Sequence, residues 1–219
     1  MSVATLTAVG LAALLAPSAP AAPPLGDGGR FALVLDGGEE AEVTIITGTD
    51  GKGRRWAEYA TGAGLGTLHQ HVVLDAAAGR PVRVVEGYIL VPPMTVAERL
   101  PSELLTGDGL DLAPFLTGRA SDLQAMRLGE EEVDTPAGRV RATRYRQAQG
   151  ERSVEFWLAE EAAPLGLVKL ASRGSKPGQS YTLELKALVR NARPVIAPVK
   201  AVPLSPQTRQ LLDRRPPLL

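Results

Sequence analysis

Cysteine is absent from all 219 residues, which excludes a disulfide framework, a thiol nucleophile, cysteine-ligated zinc and a lipid-modified N-terminal cysteine. Aromatic residues make up only 4% of the chain, leaving few platforms on which bases or sugars can stack, so alanine, valine and leucine must fill the core. Charge of one sign is lacking as well. The 24 Lys and Arg balance 24 Asp and Glu, so no net field draws the chain toward nucleic acid or an anionic membrane surface. The apolar run near the N-terminus, Val9 to Leu15, is too short to span a bilayer and is followed by prolines.

What is present is a globular composition, 44% hydrophobic, in a chain long enough to bury a full core as one domain. Met1 to Ala22 carries no charged side chain, and Val9–Leu15 leads into an Ala/Pro/Ser stretch with Ala19-x-Ala21. That is the pattern of a secretory signal, predicting a mature chain that starts near Ala22 with a flexible lead-in to Gly29, although the usual n-region cation is missing.

From Phe31 the pattern is one of strands. Phe31–Leu35 ends at Asp36-Gly37-Gly38, a hairpin turn signal. Glu42–Thr47, Arg54–Ala60, Leu68–Leu74 and Val82–Val91 follow, each separated by Gly, Asp or Pro, which predicts an antiparallel meander rather than βαβ units. Pro92-Pro93 breaks it. Thr95-x-x-Glu98 reads as a capping box opening a short helix, Ser102–Leu105 as a second turn, and Asp111–Leu116 as a third. Leu100, Leu104, Leu105, Phe115 and Leu116 would pack these pieces on the open side of the sheet, or the segment forms an exposed lid. Asp122–Leu128 is ambiguous between helix and strand.

Strands resume at Glu131, with Thr135-Pro136-Ala137-Gly138 as a tight turn. Val154, Phe156 and Leu158 fall on one strand face and Glu155 and Trp157 on the other. Pro177-Gly178 turns the chain into Tyr181–Val189. After Ala192, six prolines to Pro217 forbid central strands and a long helix. Ser205-Pro206 can cap a short helix through Leu212, and Val195, Ile196, Val199 and Val202 favour a tail that docks at least in part.

Catalytic signals are weak. His69 and His71 share a strand face, a spacing that can supply two metal ligands, but without a third ligand nearby they point to no metal site, and the opposite face, with Leu68, Val72 and Leu74, reads as the core side. They are then expected to face solvent. The serines lack a nucleophile elbow, Glu130–Glu132 and Glu160–Glu161 read as solvated charges, and Gly62–Gly66 lacks the Lys-Ser/Thr ending of a phosphate loop. No catalytic residue and no cofactor are predicted. Trp157 either anchors an apolar ligand or covers the second face of the sheet.

The run Thr135–Tyr145, the strand Val154–Glu160 with its Trp157, and the crossing Pro164-Leu165-Gly166-Leu167-Val168-Lys169 resemble a family of exported bacterial proteins related in fold to periplasmic lipoprotein carriers of the LolA and LolB type. The resemblance implies a mainly β fold: an antiparallel meander forming an open half-barrel with short helices in its concave face, over residues 30–191, preceded by a signal peptide (1–21) and lead-in (22–29) and followed by a proline-rich tail (192–219). It also implies a non-enzymatic, periplasmic protein that encloses an acyl chain or lipoprotein segment in an apolar cavity; among this chain's own residues, Leu100, Leu104, Leu105 and Phe115 would then act as a displaceable plug, with Trp157 near the wall. The alternative is a structural or interaction protein of the envelope with a filled core, whose partner is another envelope protein.

Overall fold

The computed structural model describes residues 25–63, 66–75, 83–105, 123–149, 151–175 and 179–214. Twelve strands form one open antiparallel sheet, apart from a parallel pair at one end: β1 (Gly26–Leu35), β2 (Glu40–Thr49), β3 (Arg55–Ala63), β4 (Gly66–Asp75), β5 (Arg83–Leu90), β6 (Glu98–Leu100), β7 (Arg127–Thr135), β8 (Gly138–Gln149), β9 (Arg152–Leu158), β10 (Leu167–Arg173), β11 (Tyr181–Ala192) and β12 (Val202–Pro203). One helix, α1 (Pro206–Arg214), follows. The spatial order is β12-β6-β5-β4-β3-β2-β1-β11-β10-β9-β8-β7. Two meanders, β1 to β6 and β7 to β11, are thus joined where β1 pairs with β11.

Alternation builds the inner face. Phe31, Val43, Ile45, Tyr59, Phe156 and Leu170 are each buried to 4% exposure or less and belong to one continuous cluster with Leu183 and Leu185. The register puts them on one side: Phe31 lies opposite Val43 and Leu185, Ile45 opposite Tyr59, and Phe156 opposite Leu170. The sheet curls at its far end, where the Ala137 amide in the β7–β8 turn donates to the Leu185 carbonyl at 3.0 Å. This is the antiparallel meander that the strand pattern predicts, in the open half-barrel form that the resemblance implies.

Two expectations require correction. Glu98, read as the capping residue of a helix begun at Thr95, lies in β6, where Glu98–Leu100 pairs with Gly87–Ile89 of β5. Sheet pairing and burial of the Glu98 and Leu100 side chains override the local capping signal. The 3₁₀ turn Ser102–Leu104 does form. Gly26–Gly29, read as lead-in, is the first part of β1 and pairs with both β2 and β11, since the glycines let neighbouring chain approach: a Cβ on Gly28 would overlap the Ile45 carbonyl oxygen. The segment after Ala192 docks, as its branched apolar residues favour, adding β12 at the sheet edge and the helix α1 that follows the Ser205-Pro206 cap. The expected signal segment and Phe115 lie outside the described residues.

Candidate functional site

Strand alternation also creates a second, outer face, and at β3–β5 it is buried. Trp56 and Glu58 of β3, His69, His71 and Val73 of β4, and Glu86 and Tyr88 of β5 share it through the pairs Trp56–Val73, Glu58–His71, Ala60–His69 and His71–Tyr88. Trp56 finds room because Gly48 stands opposite it on β2, where a Cβ would come within 2.5 Å of Cζ2. Its ring stacks on His71, with centroids 5.3 Å apart and planes 18° apart. Tyr88 donates to Glu86 at 2.6 Å, Glu86 is paired with Arg54 at 2.6 Å, and the Arg99 guanidinium lies 5.5 Å from the Tyr88 ring centre.

The segment after β11 crosses this face. Glu58, 3% exposed, accepts the backbone amides of Val195 at 2.8 Å and Ile196 at 3.1 Å. Its two oxygens also face His71 Nδ1 at 3.2 Å and His69 Nδ1 at 3.4 Å. Burial alone would raise the Glu58 carboxyl. The two amides, the His71 imidazole and the His69 imidazole close by outweigh it and hold the group down at about 2. A carboxylate that accepts from two amides and His71, with His69 3.4 Å away, is a structural acceptor rather than a general base, because its lone pairs are occupied and its affinity for a proton is low.

Ile196 is 2% exposed and packs with Val73, Tyr88 and Ala97, with Leu90 and Ala201 alongside. Farther on, the Val202 amide donates to the Ala97 carbonyl at 3.0 Å, and β12 lies parallel to β6. The chain then rounds the sheet edge. Leu212 of α1 packs against Ile89 and Leu100 with Leu104 and Leu105. A groove of about 770 Å³ remains between β6, β12 and α1, lined by Arg99, Leu100, Glu103, Leu204 and Arg209 among others.

The histidines expected to face solvent are therefore covered, His71 to 4% exposure; what was missed is that the tail supplies a lid and β3 a carboxylate. A signal existed, since folding β3 on β4 about the Gly62–Gly66 turn sets Glu58 across from His71. Nothing local marks Ile196 as its partner, 138 residues away. Among the described residues no group of three or more His, Asp or Glu is arranged to hold a metal ion, and no helix is long and apolar enough to cross a membrane.

Leu100, Leu104 and Leu105 come together, at the β5–β6 end of the sheet rather than at its centre. Trp157 lies apart from them, on the face opposite Phe156. It sits between Arg144 and Lys169, at 5.2 Å and 5.8 Å from its ring centre, and donates to Glu131. Glu155 beside it receives both Arg144 and Arg146 at 2.5 Å.

No family model and no curated protein matches the chain. Similar solved structures include MucB in complex with MucA(peri), at 16% identity and a TM-score of 0.42, covering 83% of this chain and 57% of that one. The MucA/MucB complex of Pseudomonas aeruginosa gives 17% identity and a TM-score of 0.43 over 82% and 58%. MucB alone gives 16% and 0.41 over 83% and 60%. The chain spans less than two thirds of the length of each.

Proposed function

We propose that this chain is a non-enzymatic binding protein of the cell envelope whose half-barrel is filled by its own side chains, so that it meets partners through its surfaces. The observation that carries the reading is the state of the inner face. Phe31, Phe156 and Val168 are fully buried, and Leu74 and Leu170 are 1% exposed, in a single cluster. Side chains in close mutual contact form a core rather than an empty cleft. Export rests on the leader pattern of Met1–Ala22.

A second reading is supported by Tyr59. Its hydroxyl is buried in that same inner face without a hydrogen-bond partner, and burial pushes its pKa up. An apolar ligand with an acceptor at one end would satisfy it. In that case Leu100, Leu104, Leu105 and Phe115 serve as the plug, with Trp157 near the wall.

Native mass spectrometry of protein secreted by an exporting host, before and after organic extraction, separates the two. The filled-core reading predicts a mass beginning near Ala22 with no extractable adduct. An acyl-chain adduct that is lost from a folded Leu104→Asp/Leu105→Asp variant would establish the second reading instead.

A further inference from the structure

The outer face of β3–β6 is covered by one stretch of chain, and the way it is held describes a recognition site. Two successive amides, those of Val195 and Ile196, meet one buried carboxylate. One β-branched side chain, Ile196, fills the pocket between Val73, Tyr88 and Ala97. Six residues on, the Val202 amide meets the Ala97 carbonyl and the segment adds as a short strand to the edge of β6. Backbone hydrogen bonds plus a pocket for a single side chain is how sheets capture extended peptides.

The covering segment uses little of its own apolar surface. Val195, Val199 and Val202 are 56%, 93% and 42% exposed, and Met94 and Val96, in the loop leading to β6, are 37% and 42% exposed. Met94 and Val96 lie outside the covering segment and offer a better-matched segment more contact than the present one makes. Ala197 (φ −101°, ψ 101°) and Ala201 are extended, and a single 3₁₀ turn over Pro198–Lys200 joins the two seated ends, with Pro194 and Pro198 restricting the backbone on either side of Ile196. It hangs from Asn191, the one described residue other than glycine at positive φ, 52°.

We propose that this groove is a docking site for a segment of a partner protein, extended at its two seated ends with a turn between them, which residues 193–204 occupy in cis. This rests on the binding-protein reading and names its surface. The partner segment carries isoleucine or valine at the pocket and free amides at that residue and the one before it, so proline is excluded at both. Small residues precede the strand-forming amide, and contact extends over Met94 and Val96.

The probe is a labelled peptide with the sequence Arg193–Leu204, titrated into the full-length protein by fluorescence anisotropy. In the full-length Ile196→Asp variant the cis segment is loosened while the groove is intact. We expect that variant to bind the peptide at least about tenfold more tightly than the unmodified chain, and Glu58→Gln added to it to weaken binding about tenfold through loss of the charged acceptor. A folded Ile196→Asp variant that ignores the peptide overturns the proposal. So does a concentration-dependent dimer of the unmodified chain held by exchanged segments, which would make a second copy the occupant. Should Ile196→Asp fail to fold, hydrogen exchange of the unmodified chain decides: amides of Val195, Ile196 and Val202 opening faster than those of β1 and β2 support a displaceable segment, and release only with global unfolding refutes it. An acyl adduct in the mass spectrum would end the filled-core reading without touching this result, because the inner and outer faces are distinct.

Discussion

Glu58 is where one side chain decides most. A carboxylate removed from water is costly unless donors replace the water, and here two amides and the His71 imidazole do so, with His69 3.4 Å away. Its folded value near 2 lies below the ordinary 4.5. The unfolded chain therefore binds the proton more readily, and the group's contribution to stability is present above pH 4.5 and is lost as pH falls toward 2. The shift corresponds to on the order of 3 kcal/mol at neutral pH. Glu58→Gln should lower the unfolding free energy at pH 7, read from urea titration, by an amount of that order, and the difference from the unmodified protein should shrink steadily between pH 4.5 and 2. A gap that stays constant over that window would mean the carboxylate's charge is immaterial.

At the scale of elements, glycine sets how closely β1 and β2 approach. Gly28 sits where a Cβ would overlap the Ile45 carbonyl oxygen, which is backbone and cannot swing aside, whereas Gly37 in the turn has open space around it. Gly28→Ala should cost about 3 kcal/mol or more by forcing the strands apart, and Gly37→Ala should change stability by less than about 0.5 kcal/mol. Paired urea titrations of the two variants measure this. β6 shows the opposite relation between sequence and structure. Thr95–Glu98 is a good helix start locally, yet Glu98–Leu100 extends the sheet because Gly87 leaves space there for Leu100 and Leu105: a Cβ on it would stand 3.2 Å from the one and 2.5 Å from the other.

For the whole molecule, the open sheet has a stable middle and two weaker ends. β1 and β11 are paired along both edges and carry Phe31, Leu183 and Leu185 into the main cluster. β12 is two residues paired on one side, and β7 ends the other side of the sheet. Native-state hydrogen exchange should find the slowest amides in the middle of β1, β2 and β11, and faster opening in β12 and along β7. Uniform protection from β7 to β12 would indicate a closed and fully cooperative barrel instead.

How much of this was legible follows from the range of each interaction. Alternation of apolar and polar residues, with Gly, Asp and Pro between runs, determined the strands, their facing and the hairpin neighbours, because pleating and turn geometry act over a few residues. It separated Phe156 from Trp157 and set His69 and His71 on one face. The sequence alone could not join β1 to β11, convert Thr95–Leu100 from helix start to sheet edge, or carry residues 193–204 over the histidines. Those depend on contacts between residues far apart in the chain, such as Glu58 with Ile196 and Leu212 with Ile89 and Leu100. Tertiary structure alone brings such groups within hydrogen-bonding or van der Waals distance, and it thereby turned a pair of apparently exposed imidazoles into the lining of a buried carboxylate.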